Sequence, residues 1–153
     1  MGDFERFYNK ALEFLSYRPR SEKEVREKLK TKKVEPSTID RIIAKLIDKK
    51  FIDDEEFAKG WIDSRLRFKP RSARLIKLEL KQKGISPETV DNLELTIEDD
   101  LESARKLVEK RLGRVKNLPK QKIYEKTGRY LASKGFNWDI IKKSIDEALS
   151  KGV

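Results

Sequence analysis

Residues 52–58 read IDDEEFA, a run of four consecutive carboxylates (Asp53, Asp54, Glu55, Glu56). Carboxylates held together can bind a divalent cation and support hydrolysis of a phosphodiester. Such a site draws converging ligands from several elements, whereas successive residues of one helical turn point in different directions. Asp53 also fits a helix N-cap, with Glu56 three residues on, an aspartate version of the capping box. Asp54 and Glu55 then lie in the first turn, where the helix dipole favours negative charge. Phe57, Trp61 and Ile62 supply the buried stripe of that helix. A similar run, EDDLES, precedes Ala104, and recurrence at an equivalent helix start points to a structural role. A metal-dependent nuclease remains the alternative. Replacing Asp54 and Glu55 by Asn and Gln would abolish cleavage in that case, and would cost only modest stability if the carboxylates cap.

Other catalytic chemistry has little to work with. The 153 residues contain no histidine and no cysteine, and the seven glycines are scattered rather than gathered into a phosphate loop. The commonest general base and metal ligand are therefore missing, with thiolates and disulfides. Catalytic, cofactor-binding and metal residues are all expected to be none. Hydrophobic residues make up 37% and charged residues 42% of the chain. The core must be thin and the surface densely charged. No apolar run approaches 18 residues, and MGDFERFYNK is unlike a secretory signal, so a cytoplasmic protein without membrane contact is expected. A net charge of +10 points to an anionic partner.

The elements that position these residues recur. Leu29, Leu80 and Leu131 are 51 residues apart, as are Lys32, Lys83 and Lys134. Next in order come Lys33, Gly84 and Gly135, then Val34, Ile85 and Phe136. Two Pro-Arg-Ser triplets, at 19–21 and 70–72, share the offset. Upstream, Ala11, Ala58 and Ala104 each precede an arginine by seven residues (Arg18, Arg65, Arg111). This self-similarity predicts an all-α protein of three tandem three-helix repeats, about nine helices in an elongated, curved array. The boundaries fall at 1–52, 53–97 and 98–153. Within a repeat, helix A is followed by helix B, capped at Ser21 with Glu24 in the first repeat. Glycine after helix B suits a left-handed C-terminal turn, which Lys33 would adopt at a cost of about 1 kcal/mol. Helix C starts at Pro36, behind Ser86-Pro87, and behind Asn137. The A–B connection lengthens along the chain, and LGRVKNLPKQ in the third repeat is expected to be a mobile loop. A compact globule of this length has a radius of gyration of about 15 Å, and an open array should exceed that in solution scattering.

Positive charge clusters from the end of helix A through helix B. Residues 18–33 hold eight basic and three acidic residues, 65–83 eight and one, and 105–134 eleven and two. The candidate basic strip comprises Arg18, Arg20 and Arg26 in the first repeat. Arg65, Arg67, Lys69, Arg71, Arg74 and Lys77 form its densest part, and Arg111, Arg114, Lys116, Lys122 and Arg129 continue it. An anionic polymer is the natural ligand; the simpler reading is a solvated face. Trp61, Tyr124, Tyr130, Phe136 and Trp138 could stack on bases, although aromatics at helical spacing beside aliphatics are more often core.

Three stretches carry a resemblance to a known family: RPRSEKEVREKLKTKKV; FIDDEEFAKGWIDSR followed by KPRSARLIKLELKQKGIS; and YLASKGFNWDIIKKSI. In order and spacing, over about residues 8–149, they resemble the RecX family of RecA regulators. Lys33, where glycine is common, and the long third connection depart from the pattern. The resemblance implies a non-enzymatic protein that binds the RecA–DNA nucleoprotein filament, and the chain itself is expected to be a monomer. It further implies restraint of recombinase, ATPase and coprotease activities, with weak, nonspecific binding to single- and double-stranded DNA. A direct DNA-binding module is the alternative, because helix B, a short turn and helix C look like a helix-turn-helix.

Overall fold

A computed structural model describes residues 2–151, so Met1, Gly152 and Val153, at the ends of the first and third predicted repeats, lie outside the described residues. Among the described residues there are nine α-helices and no strand. The first repeat comprises α1 (Asp3–Tyr17), α2 (Glu22–Thr31) and α3 (Pro36–Asp48). The second holds α4 (Asp54–Phe68), α5 (Ala73–Gln82) and α6 (Pro87–Asp91), and the third α7 (Ile97–Val115), α8 (Lys120–Ser133) and α9 (Trp138–Ser150). The helix starts follow local chemistry. Ser21 accepts from the Glu24 N–H while the Glu24 carboxylate accepts from the Ser21 N–H, closing the expected capping box. Ser86 and Asn137 cap α6 and α9 by the same side-chain-to-backbone bond.

The chain packs as two compact units. One holds the residues up to Trp61 together with Leu80–Asn92; the other holds Ile62–Glu79 and the residues from Leu93 on. The first is centred on α1–α3, where Tyr8, Ala11, Val25, Leu29, Ile39, Ile42, Ile43 and Leu46 close a buried cluster. The second is centred on α7–α9, with Leu101, Leu107, Val108, Leu112, Leu131, Ile141 and Ile145 at its heart.

Each unit contains one junction between successive repeats, and the two junctions are built alike. In the first, the Asp54 carboxylate accepts the Glu22 N–H at 2.8 Å, and the Ser21 hydroxyl donates to the Lys83 carbonyl at 2.7 Å. In the second, the Asp100 carboxylate accepts the Ala73 N–H at 2.7 Å, and the Ser72 N–H donates to the Lys134 carbonyl at 3.0 Å. The starts of α2 and α5, the first two B helices, are thus satisfied by the following repeat. Gly84 and Gly135 have φ of 83° and 90°, and they sit where this contact closes. A Cβ on Gly84 would lie 2.6 Å from the Lys23 Cβ, and one on Gly135 2.3 Å from the Ser72 Oγ. Lys33 adopts the same left-handed conformation, φ 59°, at the turn of the first repeat.

Two expectations are corrected. Most of LGRVKNLPKQ is helical: α7 continues to Val115 and α8 begins at Lys120, leaving 116–119 as the connection. The cause is the apolar stripe of α7, in which Leu112 and Val115 are buried one and two turns after Val108. Gly113 lies on the exposed face and does not break the helix. The acidic runs also differ from simple caps. Asp53 caps its own helix, accepting the Glu56 N–H at 3.1 Å, but Asp54 reaches back to α2. Asp99 completes a capping box with Thr96, which starts α7 ahead of Asp100.

Candidate nucleic-acid interface

The nominated cations fall into two groups by what surrounds them. Several are tied into the protein. Arg18 pairs with Glu24 at 2.7 Å, and Lys83 meets the same carboxylate at 3.3 Å. Burial pushes the Glu24 carboxyl up, but the hydrogen bonds from Arg18 and the Ser21 N–H, with the charges of Arg18 and Lys83, hold it below its ordinary value. The Arg20 guanidinium lies 3.9 Å over the Phe14 ring. Arg26 bridges Asp40 and Glu22 at 2.8 and 2.9 Å, and both bonds raise its pKa. Arg65 and Arg71 converge on Glu79 at 3.0 and 2.6 Å, all three side chains mostly buried. Arg111 is half-buried with its guanidinium 4.5 Å over Tyr130, and Lys77 is half-buried.

The second group faces solvent: Arg67, Lys69, Arg74, Arg114, Lys116, Lys122 and Arg129. Arg67 pairs with Asp63 and Lys122 with Glu125, each within one exposed helical turn. Exposed pairs of this kind contribute little and exchange readily for a ligand anion. Arg74 donates to the Gly135 carbonyl at 3.4 Å. The densest predicted stretch therefore separates: Arg65 and Arg71 hold the fold, whereas Arg67, Lys69 and Arg74 present charge to solvent.

The nominated aromatics separate similarly. Phe136 is buried, and half-buried Trp61 stacks on Phe57. Tyr130 lies under Arg111 and Lys134. The Tyr124 hydroxyl donates to the Asp146 carboxylate, and this bond raises its pKa to about 12. Trp138 alone of the five is exposed, at 59%. Two more exposed rings stand beside the cations: Tyr17 and Phe68, each 76% exposed, end α1 and α4. They are 51 residues apart and each stands two residues before the proline of a Pro-Arg-Ser triplet. The repeat register carried this signal, but a search for core periodicity passes over it, because the two rings fall outside the buried stripe.

Three-helix repeats joined by reciprocal caps, with exposed cations about the A–B elbows, define a modular, repeat-built protein. The RecX first three-helix domain matches residues 8–46, the second residues 53–92 and the third residues 98–145. The chain belongs to the RecX family. It is 34% identical over 142 residues to the Regulatory protein RecX of Bacillus subtilis, covering 92% of this chain and 54% of that protein. It is 33% identical over 147 residues to that of Bacillus velezensis, covering 95% and 56%. The chain thus spans about half the length of the curated relatives it matches. The crystal structure of RecX from Lactobacillus salivarius is similar over nearly its whole length, with a TM-score of 0.81 and 32% identity, covering 95% of this chain and 96% of that one. No described helix is long and apolar enough to cross a membrane.

Proposed function

We propose that this protein regulates a RecA recombinase by binding the RecA–DNA filament, without catalytic chemistry of its own, and that it restrains filament growth, strand exchange, ATP hydrolysis and coprotease activity. The observation that carries this reading is the match of all three repeats to the RecX domains, whose relatives are named regulatory proteins. The exposed cations support it, because a filament presents DNA phosphates, and successive repeats can meet successive parts of a periodic partner. Several weak contacts then sum through effective concentration. The partners are the RecA nucleoprotein filament and, weakly and without sequence preference, single- and double-stranded DNA. The chain acts as a monomer in the cytoplasm.

The helix-turn-helix alternative is disfavoured by helix C. In the second repeat, helix C (α6) is five residues long. A recognition helix must be long enough to present several side chains to the major groove. The deciding experiment is DNA-dependent ATP hydrolysis by RecA on single-stranded DNA, titrated with this protein at low salt. Reduced hydrolysis supports the proposal. No binding and no effect would sink it, and sequence-specific binding to short duplexes without RecA would favour the alternative.

A further inference from the structure

We propose that the A–B elbows of the first two repeats bind single-stranded DNA by stacking Tyr17 and Phe68 on its bases. This rests on the anionic partner in the function proposed above and names the chemistry of the contact. Both rings occupy the last position of helix A, both are 76% exposed, and both precede a cation and a proline (YRPRS and FKPRS). A chain with few apolar residues thus spends two large rings at equivalent exposed positions. The setting is rigid. Proline restricts the residue before it to extended backbone, as seen at Arg18 (φ −167°, ψ 163°). The capping box at Ser21 starts α2 immediately afterwards. At the second elbow the Ser72 hydroxyl accepts the Leu75 N–H at 3.1 Å and starts α5, so each ring stands at a helix end with the next helix begun within a few residues.

Charge selects the occupant. The elbow segments YRPR (17–20) and RFKP (67–70) contain cations and no carboxylate. Arg67 and Lys69 flank Phe68 with exposed side chains, Arg67 in an exposed pair with Asp63, whereas Arg18 beside Tyr17 pairs with Glu24 and Arg20 covers Phe14, so the second elbow carries the freer charge. An exposed aromatic ring beside cations, as at Phe68 between Arg67 and Lys69 and at Tyr17 before Arg18, matches a ligand whose anionic backbone carries accessible π-faces, which is single-stranded nucleic acid. Duplex DNA hides those faces within its stack and offers the rings nothing. The third elbow carries Leu118, 36% exposed, ahead of Pro119 and Lys120, and so supplies charge without a ring.

The test is fluorescence anisotropy of a labelled oligothymidine of about 20 nucleotides with the whole chain, across a salt series. Y17A with F68A should weaken binding about 10- to 100-fold and leave the slope of log K against log salt unchanged, since rings release no counterions. Duplex affinity should not change. F68L, which keeps apolar bulk, should fail to bind as wild type does. F68W should restore binding, with its added emission quenched by the oligonucleotide. The proposal is overturned if the double alanine variant binds as wild type, if F68L suffices, or if wild type ignores the oligonucleotide at low salt. Weakened binding to RecA-coated DNA alone, with free oligonucleotide unaffected, would assign the rings to a protein partner and overturn it equally. The RecA ATPase titration, run on the same variants, judges the proposed function separately: wild type without effect there defeats that reading whatever the rings do.

Discussion

Asp54 stands beside three other acids yet does a different job from each, because its partner is 32 residues away. Burial raises its carboxyl above the ordinary aspartate range, more than the Glu22 N–H lowers it, and the nearby charges of Glu22 and Asp53 add to the rise. The neutral isostere keeps an oxygen for that N–H while removing the half-buried charge and one favourable dipole interaction. D54N should therefore stay within about 1 kcal/mol of wild type in urea unfolding, whereas D54A should lose about 1–2 kcal/mol. The pH dependence follows from the sign of the shift. The folded state holds this proton more tightly than the unfolded state, so Asp54 contributes most below the ordinary carboxyl range and less as pH rises through its raised folded value. The stability difference should move in favour of D54N as pH rises through the carboxyl range. A second pair of substitutions addresses the left-handed turns. Gly84→Ala meets both a positive φ and the Lys23 side chain, and should cost about 2–4 kcal/mol. Lys33 shares that conformation, so Lys33→Gly should gain up to about 1 kcal/mol. Thermal or urea melts of both variants check the contrast. The left-handed turn at these positions was legible from the sequence; the second demand on glycine was not, because only the packed junction brings Lys23 to Gly84 and Ser72 to Gly135.

At the scale of elements, the sequence was most informative where periodicity and caps agreed. The starts of α2, α3, α6 and α9 stand where Ser21, Pro36, Ser86 and Asn137 place them. It misled where a breaker residue and an apolar stripe conflicted. Gly113 and Pro119 together suggest a loop, but Leu112 and Val115 are both buried, and tertiary burial outweighs the local cost of one glycine, about 1 kcal/mol. The consequence is testable. A Cβ on Gly113 would meet nothing within 4 Å beyond its own helix backbone and chain neighbours, and the residue has no left-handed φ. Gly113→Ala should raise stability by about 0.5–1 kcal/mol, read as a higher melting temperature. A mobile loop at that position would give no gain. The reciprocal caps were half legible: EDDLES and IDDEEFA announce equivalent helix starts, but nothing in their spacing reveals that Asp54 and Asp100 satisfy the preceding repeat's helix B.

For the whole molecule, the question is which of the 37 basic residues meet a partner and which hold the fold. Clustering along the chain marks the segments but does not separate these roles, because an arginine paired with a buried carboxylate and one facing water read alike in sequence. Their geometry separates them. Arg71 shares Glu79 with Arg65 at 16% side-chain exposure, so its guanidinium is committed to a carboxylate within the protein and turned away from solvent. Lys69, Arg114 and Lys116 are exposed and lie in the segments with the largest basic excess. If DNA phosphates are the ligand, each exposed cation that meets one releases condensed counterions, about 0.7 per phosphate on a single strand. Neutralising Lys69, Arg114 and Lys116 by Gln should then flatten the salt dependence of oligothymidine binding by up to about 2 in the log–log slope, with the melting temperature nearly unchanged. Arg71→Gln should do the reverse. It removes a partner from a mostly buried carboxylate, lowers stability by about 1–3 kcal/mol, and leaves the slope as it was. Binding isotherms at several salt concentrations, paired with urea melts of the triple variant and of Arg71→Gln, distinguish the two roles. A slope that falls with Arg71→Gln and not with the exposed set would place the interface on the opposite group of cations.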